Sequence, residues 1–240
     1  MAKKNKVISP QARPGGHEHE RLNEKNEARP GGHDRERLNE LIAARGPFKI
    51  YQAWERLGIE GQRPVTMRYG IYGLDKIIGP ESTVLDLGSN VGFMSLKCAE
   101  RAKEVHGVER YSYWVEIAEL AAKVLGIENA HFHVGDALAF EAPCEFDVML
   151  SLSFHHWCPE VFAKYVEVVF KGMLKVGGHL LFESHAPKSR ELFEQYASYL
   201  KSVGFTVKYD GVCQCPTNYP RPNPHRKFYM LQLMEKQSHD

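Results

Sequence analysis

The sequence predicts an α/β protein with a doubly wound, mostly parallel sheet of seven strands, the last two of which form an antiparallel hairpin at one edge. From residue 83 onward, short apolar strand patterns alternate with helical patterns, as in sheets flanked by helices. The segment FDVMLSLS, 146–153, is almost continuously apolar, which is typical of a strand buried on both faces. A proline-rich loop instead of a helix joins the last two strands, which favours the hairpin.

The predicted elements follow one another in a regular order. Apolar residues spaced three and four apart predict helices, and glycine or proline marks several of their ends. The predicted helices are 48–59, 66–78, 93–102, 112–126, 159–174 and 189–204. The predicted strands are 83–87, 104–109, 130–135, 146–153, 177–184, 205–210 and 227–235.

The first 46 residues contain an internal repeat. ARPGGHEHERLNE, 12–24, returns as ARPGGHDRERLNE, 28–40. Too few apolar residues are present for a separate core, so we expect a solvated or partly helical arm over 1–46. The alternative is a lid or dimerisation arm that orders over an anionic ligand, with the candidate contacts Arg13, His17, Arg29 and His33. We expect a helical lid or substrate segment over 47–80 and the main domain over 81–236.

The overall composition excludes several classes of protein. The net charge is +1 and the pI is about 7.7, so no global field attracts nucleic acid or membrane surfaces. No apolar run approaches the roughly 18 residues of a membrane span, and the basic N-terminus lacks the apolar stretch of a secretory signal. We therefore expect a cytoplasmic protein with reduced thiols. The CQC pair at 213–215 has no second cysteine or histidine pair nearby, so no metal site is predicted there.

An acidic residue and two glycines follow the first strand of the predicted sheet. Asp86 lies near the end of this strand, and Gly88 and Gly92 come before a helix. Ligands of open parallel sheets bind at the carboxyl ends of the strands, where glycine lets a ligand approach the backbone closely. Glu109 ends the second strand and suits the hydroxyls of a ribose, while Asp136 follows the third strand and suits an adenine amino group. Three acids at successive strand ends predict one nucleoside site.

The order of residues in the glycine turn distinguishes between two kinds of nucleoside ligand. A dinucleotide site has the pattern G-x-G-x-x-G, with a helix N-terminus facing a pyrophosphate. Here the order is D-x-G-x-N-x-G, and a carboxylate before the first glycine repels phosphate but attracts an ammonium group. The pattern therefore favours a nucleoside with a cationic amino-acid tail over a nicotinamide dinucleotide.

This set of residues resembles the class I S-adenosylmethionine-dependent methyltransferases, from about Tyr69 to the last strand. The resemblance implies a Rossmann-like methyltransferase fold, an enzymatic activity and S-adenosyl-L-methionine as cofactor. The family's usual middle glycine is replaced by Asn90. The residues that correspond to its cofactor site are Asp86, Gly88, Ser89, Asn90 and Gly92 around the methionine moiety, Glu109 at the ribose, Asp136 and Ala137 at the adenine, and Ser153 beside the donor.

The acceptor side is expected where the fourth and fifth strands end. There SLSFHHWC, 151–158, brings His155 and His156 beside the donor, and a neutral imidazole suits a general base. Neighbours on an extended segment point in opposite directions, so one of the two is expected to face the pocket. An alternative is a divalent metal held by two histidines and Glu183. Further side chains expected to contact the acceptor are Trp157, His185, Arg221 and Arg226.

The basic, proline-rich loop before the last strand indicates the kind of acceptor. Together with the FHH and FES segments, it is similar to the branch of the family that methylates phosphate groups on O-antigen chains or RNA 5′ ends. Arginine fits phosphate and carboxylate oxygens, so we expect methyl transfer to a phosphate, carboxylate or hydroxyl oxygen of a small molecule. The alternatives are an RNA-modifying enzyme, nitrogen methylation of a small metabolite, and a nucleoside-binding domain without catalysis.

Overall fold

The computed structural model describes residues 32–44, 52–154, 159–185, 190–214 and 226–236. The strands in these ranges are β1 (Gln52–Ala53), β2 (Arg63–Pro64), β3 (Thr83–Leu87), β4 (Glu104–Glu109), β5 (Ala130–Val134), β6 (Phe146–Leu152), β7 (Leu174–Glu183), β8 (Phe205–Cys213) and β9 (Arg226–Leu233). The α-helices are α1 (Gly32–Ala44), α2 (Val65–Ile71), α3 (Leu74–Ile77), α4 (Phe93–Ala99), α5 (Ser112–Leu125), α6 (Phe162–Tyr165) and α7 (Arg190–Ser202). Tighter or wider helical turns occur at Glu55–Leu57, Ala137–Ala139, Pro159–Val161 and Val166–Lys171.

The main sheet has seven strands in the order β5-β4-β3-β6-β7-β9-β8. The pairs from β5 to β7 are parallel, whereas β9 is antiparallel to both β7 and β8. The chain proceeds outward from β3 to β5 and then crosses to β6 on the other side. The order therefore reverses between β3 and β6, which is where open α/β sheets place their ligand crevice. The predicted fold class and the antiparallel edge hairpin are confirmed.

The sheet lies between two layers of apolar side chains. Every residue of β3 is buried, and its successive side chains point to opposite faces. Val84 packs in the cluster that contains residues of α4 and α5, and Leu85 packs in the cluster that contains Phe170. A strand covered on both faces holds its carboxyl end firmly at the rim of the sheet.

None of the helices in the described ranges combines the length and the apolar character that crossing a membrane requires.

The second copy of the repeat forms most of α1, which packs against α5. Leu38 of α1 is fully buried, and the Arg35 Nη1 atom donates a hydrogen bond to the carbonyl oxygen of Leu57 at 2.8 Å. This copy is therefore joined to the folded core instead of being solvated on all sides. His33 at the start of α1 is exposed. The first copy, 12–24, and Arg29 lie outside the described residues, and the role of the arm as a lid stays a prediction.

The helix predicted over 48–59 is wrong for the part that the structure describes. β1 and β2 pair in parallel there, and Glu55–Leu57 forms a single 3-10 turn that Gly58 ends with a φ of 64°. Trp54 is fully buried, with its ring centroid 6.0 Å from that of Phe93. Burial of this large side chain outweighs the weak helical propensity of the segment.

Two other predicted helices are interrupted. The one over 66–78 divides into α2 and α3 at Gly73, whose φ is 66°. A Cβ atom at Gly73 would lie 2.8 Å from the hydroxyl oxygen of Tyr209, so β8 approaches the chain closely at this point. The helix predicted over 159–174 consists of a 3-10 turn, α6 and a π turn, and β7 already begins at Leu174.

Candidate active site

The glycine turn after β3 is built from residues with left-handed backbone angles. The φ angles of Gly88, Asn90 and Gly92 are 68°, 54° and 70°, a region that glycine occupies without strain and asparagine more readily than most residues. The backbone amides of Gly88 and Ser89 donate to the carbonyl of Val108 at 2.8 and 3.1 Å. These bonds fix the turn against β4 and leave its outer side facing the crevice between β3 and β6.

Glu109 holds the same turn from the end of β4. Its Oε2 atom accepts a hydrogen bond from the amide of Asn90 at 2.9 Å, and its Oε1 atom accepts one from the amide of Tyr111 at 3.0 Å. A carboxylate has about four acceptor positions, so each oxygen can still accept from a ribose hydroxyl. The carboxylate is thus oriented by the chain in a way that suits a second pair of donors.

Asp86 is a buried carboxyl group at the bottom of the turn. Its Oδ2 atom accepts a hydrogen bond from the Ser95 hydroxyl at 2.6 Å. Burial raises the pKa of Asp86 to about 7, although the Ser95 hydrogen bond and the Arg68 guanidinium act in the opposite direction. A carboxyl group with this pKa is only partly ionised near pH 7, and a cation that comes close increases its charge, which suits the binding of an ammonium group.

Asp136 lies at the third strand end but is more exposed than Asp86 and Glu109. Its Oδ1 atom accepts from the amide of Leu138 at 2.9 Å and from the Tyr165 hydroxyl at 2.7 Å. The hydrogen bond from the Leu138 amide is the main reason that the pKa of Asp136 is lowered. Asp136 therefore caps the short turn that begins with the buried Ala137, and the adenine assignment of both residues stays a prediction.

Ser153 and Phe154 connect the glycine turn to the acceptor side. Ser153 follows β6 with a φ of 62°. Its hydroxyl oxygen lies 3.0 Å from both Glu183 Oε2 and the carbonyl oxygen of Ser184, and it accepts a hydrogen bond from Arg226 Nη1. A Cβ atom at Gly88 would lie 2.9 Å from the Phe154 ring. The Phe154 side chain therefore packs directly on the glycine turn.

Glu183 is a fully buried carboxylate at the end of β7, with donors from several elements around it. Its Oε1 atom accepts from Arg63 Nη2 at 2.6 Å and from the Tyr72 hydroxyl. Its Oε2 atom accepts from Ser153, and it lies 3.4 Å from Arg226 Nη1. These side chains, together with Arg68, are called the Glu183 cluster below.

The charge of Glu183 is set by its neighbours. Burial would raise the pKa of this carboxyl group, but Arg63, Arg68 and Arg226, with a hydrogen bond from Tyr72, lower it to about 2. Glu183 is therefore ionised at any ordinary pH. Its oxygens accept from guanidinium and hydroxyl donors of the chain. His155 and His156 lie outside the described residues, so the metal site with two histidines and Glu183 stays an alternative. In the described ranges, no group of three or more histidine, cysteine or acidic side chains is arranged to hold a metal.

The sequence interpretation missed Arg63, Arg68 and Tyr72 as functional candidates. Arg68 is 2% exposed although it belongs to α2, where it lies three residues after the buried Val65 and next to the buried Tyr69. An arginine among apolar residues three and one positions away is a detectable signal, because arginine is rarely buried without a partner. Arg63 precedes a proline in a short strand and gives no comparable signal.

Several predicted acceptor-side residues lie outside the described residues, namely His155, His156, Trp157 and Arg221. Arg226 is described at the start of β9 and joins the Glu183 cluster. His185 is half-buried two residues after β7. The catalytic and substrate-binding assignments of all these residues stay predictions.

The geometry fits the cofactor that the residue pattern implies. The hydroxyl oxygen of Ser89 and the side-chain oxygen of Asn90 are buried in the turn without a hydrogen-bond partner in the described part of the chain. These two atoms and the lone pairs of Glu109 offer polar contacts to a bound nucleoside. A family model described as a methyltransferase domain matches residues 78–234. The chain belongs to this methyltransferase family. S-adenosylmethionine is the methyl donor of enzymes with this domain and fold.

Relatives in sequence include methyltransferases of several kinds. An uncharacterized methyltransferase of Geobacillus thermodenitrificans is 31% identical over 144 residues, which are 55% of this chain and 63% of that protein. The uncharacterized methyltransferase YcgJ of Bacillus subtilis is 30% identical over 48% of this chain and 45% of that protein. A mouse tRNA (uracil-5-)-methyltransferase homolog B is 38% identical over 30% of this chain, which matches only 14% of that protein. The chain thus spans less than two thirds of each of these relatives.

Solved structures share the fold at low sequence identity. The N-methyltransferase NodS of Bradyrhizobium japonicum, in complex with S-adenosyl-L-homocysteine, has a TM-score of 0.61 and 16% identity, covering 84% of this chain and 99% of that one. An rRNA methylase of Streptococcus thermophilus has a TM-score of 0.53 and 20% identity, covering 72% of this chain and 98% of that one. Their titles name different kinds of methylation, an N-methyltransferase and an rRNA methylase, so the likeness shows the fold and does not indicate the acceptor.

Proposed function

We propose that the chain transfers the methyl group of S-adenosylmethionine to an oxygen atom of a small molecule that carries an anionic group. The observation that carries this proposal is the Glu183 cluster, in which Arg63, Arg68 and Arg226 surround one carboxylate beside the glycine turn. Three guanidinium groups around a single carboxylate give this cluster a positive charge. A positive potential in a partly buried cleft attracts and orients anions.

The donor half of the site is proposed to position the cofactor. S-adenosylmethionine supplies a methyl group that is already activated as a sulfonium, so the protein contributes mainly orientation and exclusion of water. Asp86 is proposed to attract the ammonium group of the methionine tail, and Glu109 to accept hydrogen bonds from the ribose. Phe154, which packs on Gly88, shields the turn from water.

The acceptor half is proposed to hold the anion and to remove a proton where the acceptor is a hydroxyl. Arg226 is the arginine of the cluster with the largest exposed fraction, 12% of its side chain, and we propose that it contacts the acceptor. Ser153 and Glu183 fix its guanidinium at the rim. His155 or His156 is the proposed general base, because both follow directly after Phe154 in the sequence.

An RNA acceptor is the second candidate, favoured by the local similarity to the tRNA (uracil-5-)-methyltransferase homolog. The net charge of +1 is small for a protein that grips a nucleic-acid backbone. Binding to a small RNA at several salt concentrations separates the two candidates, because contacts to phosphate release counterions and weaken steeply with salt. Strong, salt-dependent binding would favour RNA over a small molecule.

The direct test is a transfer assay with labelled S-adenosylmethionine against phosphorylated sugars, neutral alcohols, amines and small RNAs. We expect label in the phosphorylated sugars and loss of this transfer in Arg226→Gln, with donor binding retained. Transfer to amines or to neutral alcohols in preference to anions would contradict the proposed acceptor class.

The cytoplasmic location also stays a prediction.

A further inference from the structure

A series of hydrogen bonds away from the Glu183 cluster joins β4 to the edge strand β5. The Nε2 atom of His106 lies 3.1 Å from Glu104 Oε1, and its Nδ1 atom lies 3.0 Å from the Nε2 atom of His133. The two imidazole rings are nearly parallel, with their centroids 5.3 Å apart. Glu104 and His106 belong to β4 and His133 belongs to β5, so these three side chains, called the histidine link below, add to the backbone pairing of the two strands.

The positions of the protons in the histidine link follow from what each group can donate. A carboxylate only accepts hydrogen bonds, so His106 donates from Nε2 to Glu104, and its neutral ring accepts at Nδ1. His133 therefore donates from its Nε2 atom to His106 Nδ1. In this arrangement both imidazoles are neutral, and each bond has one donor and one acceptor.

The histidine link can take up one additional proton but not two. A proton added at Nδ1 of His133 leaves both hydrogen bonds in place. A second proton would have to bind His106 Nδ1, which would then face the N–H group of His133 as donor to donor at 3.0 Å. Burial lowers the pKa of both histidines, and Glu104 opposes this effect at His106. Protonation of both rings therefore favours a state in which the two strands have separated.

The titratable groups around the histidine link come from β4, β5 and the segment before β6. His131 of β5 lies with its Nε2 atom 3.4 Å from Glu104 Oε1, and its charge further lowers the pKa of both linked histidines. The Cys144 thiol is close enough to be influenced by Glu104, and burial is the main reason that its pKa is raised. The Phe146 ring packs edge-on against His106. Within the described ranges, no lysine or arginine forms an ion pair with Glu104.

β5 is the strand that the histidine link is able to release. It lies at the edge of the main sheet and none of its five residues is buried, so few apolar contacts oppose its local opening. We infer that the histidine link is a pH-sensitive latch, which holds β5 on β4 at neutral pH and releases it in mildly acidic solution. This inference goes beyond the proposed methyl transfer and does not depend on the identity of the acceptor.

Hydrogen exchange of the full chain, followed by mass spectrometry at pH 7.5 and 5.0, tests the latch. The rates are corrected for the intrinsic pH dependence of exchange, and peptides covering 128–136 are compared with peptides covering β3. Because pH 5.0 is about 1.5 units below the ordinary histidine pKa of 6.5, we expect the protection of β5 to fall about 10-fold or more while that of β3 does not fall. Equal protection of β5 at both pH values would overturn the inference, and so would an equal loss in both strands.

Two variants complete the design. His133→Gln keeps an N–H donor for His106 but cannot be protonated, so the protection of β5 should change by less than about 2-fold between the two pH values. His179→Gln replaces a half-buried histidine of β7 and should keep the wild-type response. A folded His133→Gln that still loses the protection of β5 at pH 5.0 would overturn the inference.

A measurement on the wild-type chain covers the case in which His133→Gln fails to fold. Nitrogen-15 NMR of the imidazole rings at pH 7.5 should show His106 with a protonated Nε2 atom and an unprotonated Nδ1 atom. The opposite tautomer of His106 would overturn the inference, because the donors of the histidine link would then be arranged differently.

Discussion

Asp86 and Glu183 are two buried carboxyl groups at the same rim of one sheet, and their pKa values move in opposite directions. Burial raises the pKa of Asp86 to about 7, whereas the arginines around Glu183 overcome the same effect and lower its pKa to about 2. Both side chains are at most 2% exposed, so burial does not distinguish them. The difference lies in the number of cations that face each group.

This difference supports the proposal that Asp86 meets a ligand, whereas Glu183 organises the protein itself. Glu183 is saturated by donors of the chain itself, and removal of its charge would leave the arginines facing one another. Asp86 has a hydrogen bond from Ser95 and a more distant influence from Arg68, so it gains most from a cation that arrives with the cofactor. Substitution at the two positions should therefore have opposite consequences for stability and for binding.

The largest expected effect is on stability, from Glu183→Gln. The substitution leaves three guanidinium groups without their shared carboxylate, and uncompensated buried charge destabilises a fold by about 3 to 5 kcal/mol. Urea unfolding followed by circular dichroism measures the change. Glu194→Gln, which disrupts a partly exposed pair with Lys227, is the control and should change stability by less than about 1 kcal/mol. A loss for Glu183→Gln as small as that of the control would show that the cluster does not depend on its carboxylate.

The next effect is on donor affinity, from Asp86→Asn. The neutral amide keeps the shape of the side chain but cannot attract an ammonium group, so the Kd of S-adenosylmethionine should rise by about 10- to 100-fold. Stability at pH 7 should be unchanged or higher, because a charge no longer has to be buried. A variant that is less stable and binds the donor normally would contradict this prediction, because Asp86 would then support the fold and not the cofactor.

The pH dependence of binding should reflect the same comparison. Asp86 with a pKa of about 7 must lose its proton to pair with the ammonium group, so the Kd should fall about tenfold per pH unit up to pH 7 and level off above it. The stability of the fold should change with pH in the opposite sense to donor binding, because an ionised Asp86 is disfavoured in the folded state. Its contribution to stability should therefore decrease as pH rises from about 4 to about 7.

Glu183 should affect stability in a different pH range. Because its folded pKa is about 2, below its ordinary value of 4.5, it contributes stability above about pH 4.5 and loses that contribution as pH falls toward 2. Titration calorimetry between pH 5.5 and 8 measures the pH dependence of donor binding, and acid unfolding below pH 5 measures the contribution of Glu183 to stability. Asp86→Asn should abolish the pH dependence of donor binding and preserve the loss of stability at low pH.

The two halves of the site also differ in how far the sequence predicts them. Asp86 and Glu109 lie at strand ends beside a glycine turn, so local patterns of period two and the turn residues indicate their positions. Glu183 receives donors from Arg63 and Tyr72, which are 120 and 111 residues away in the chain. No spacing in the sequence encodes such a contact, because it arises only when α2 and β2 pack on the rim. The same reason explains why the segment around Trp54, which tertiary packing shapes, was predicted wrongly as a helix.

The smallest expected effect comes from a substitution on β8, the edge strand beside β9. It tests whether β8 supports the proposed acceptor half of the site. The Tyr209 hydroxyl of β8 donates to the backbone carbonyl of Tyr72 at 2.7 Å, next to Gly73. Tyr209→Phe removes this one hydrogen bond and should lower the free energy of unfolding by about 0.5 to 1.5 kcal/mol. Tyr72 donates to Glu183 in the proposed acceptor half, so the Kd of the methyl acceptor found in the transfer assay should rise. The Kd of 5′-methylthioadenosine, which is the donor without its amino-acid tail, should stay the same. An equal loss of affinity for both ligands would mean that the two halves of the site are not supported separately.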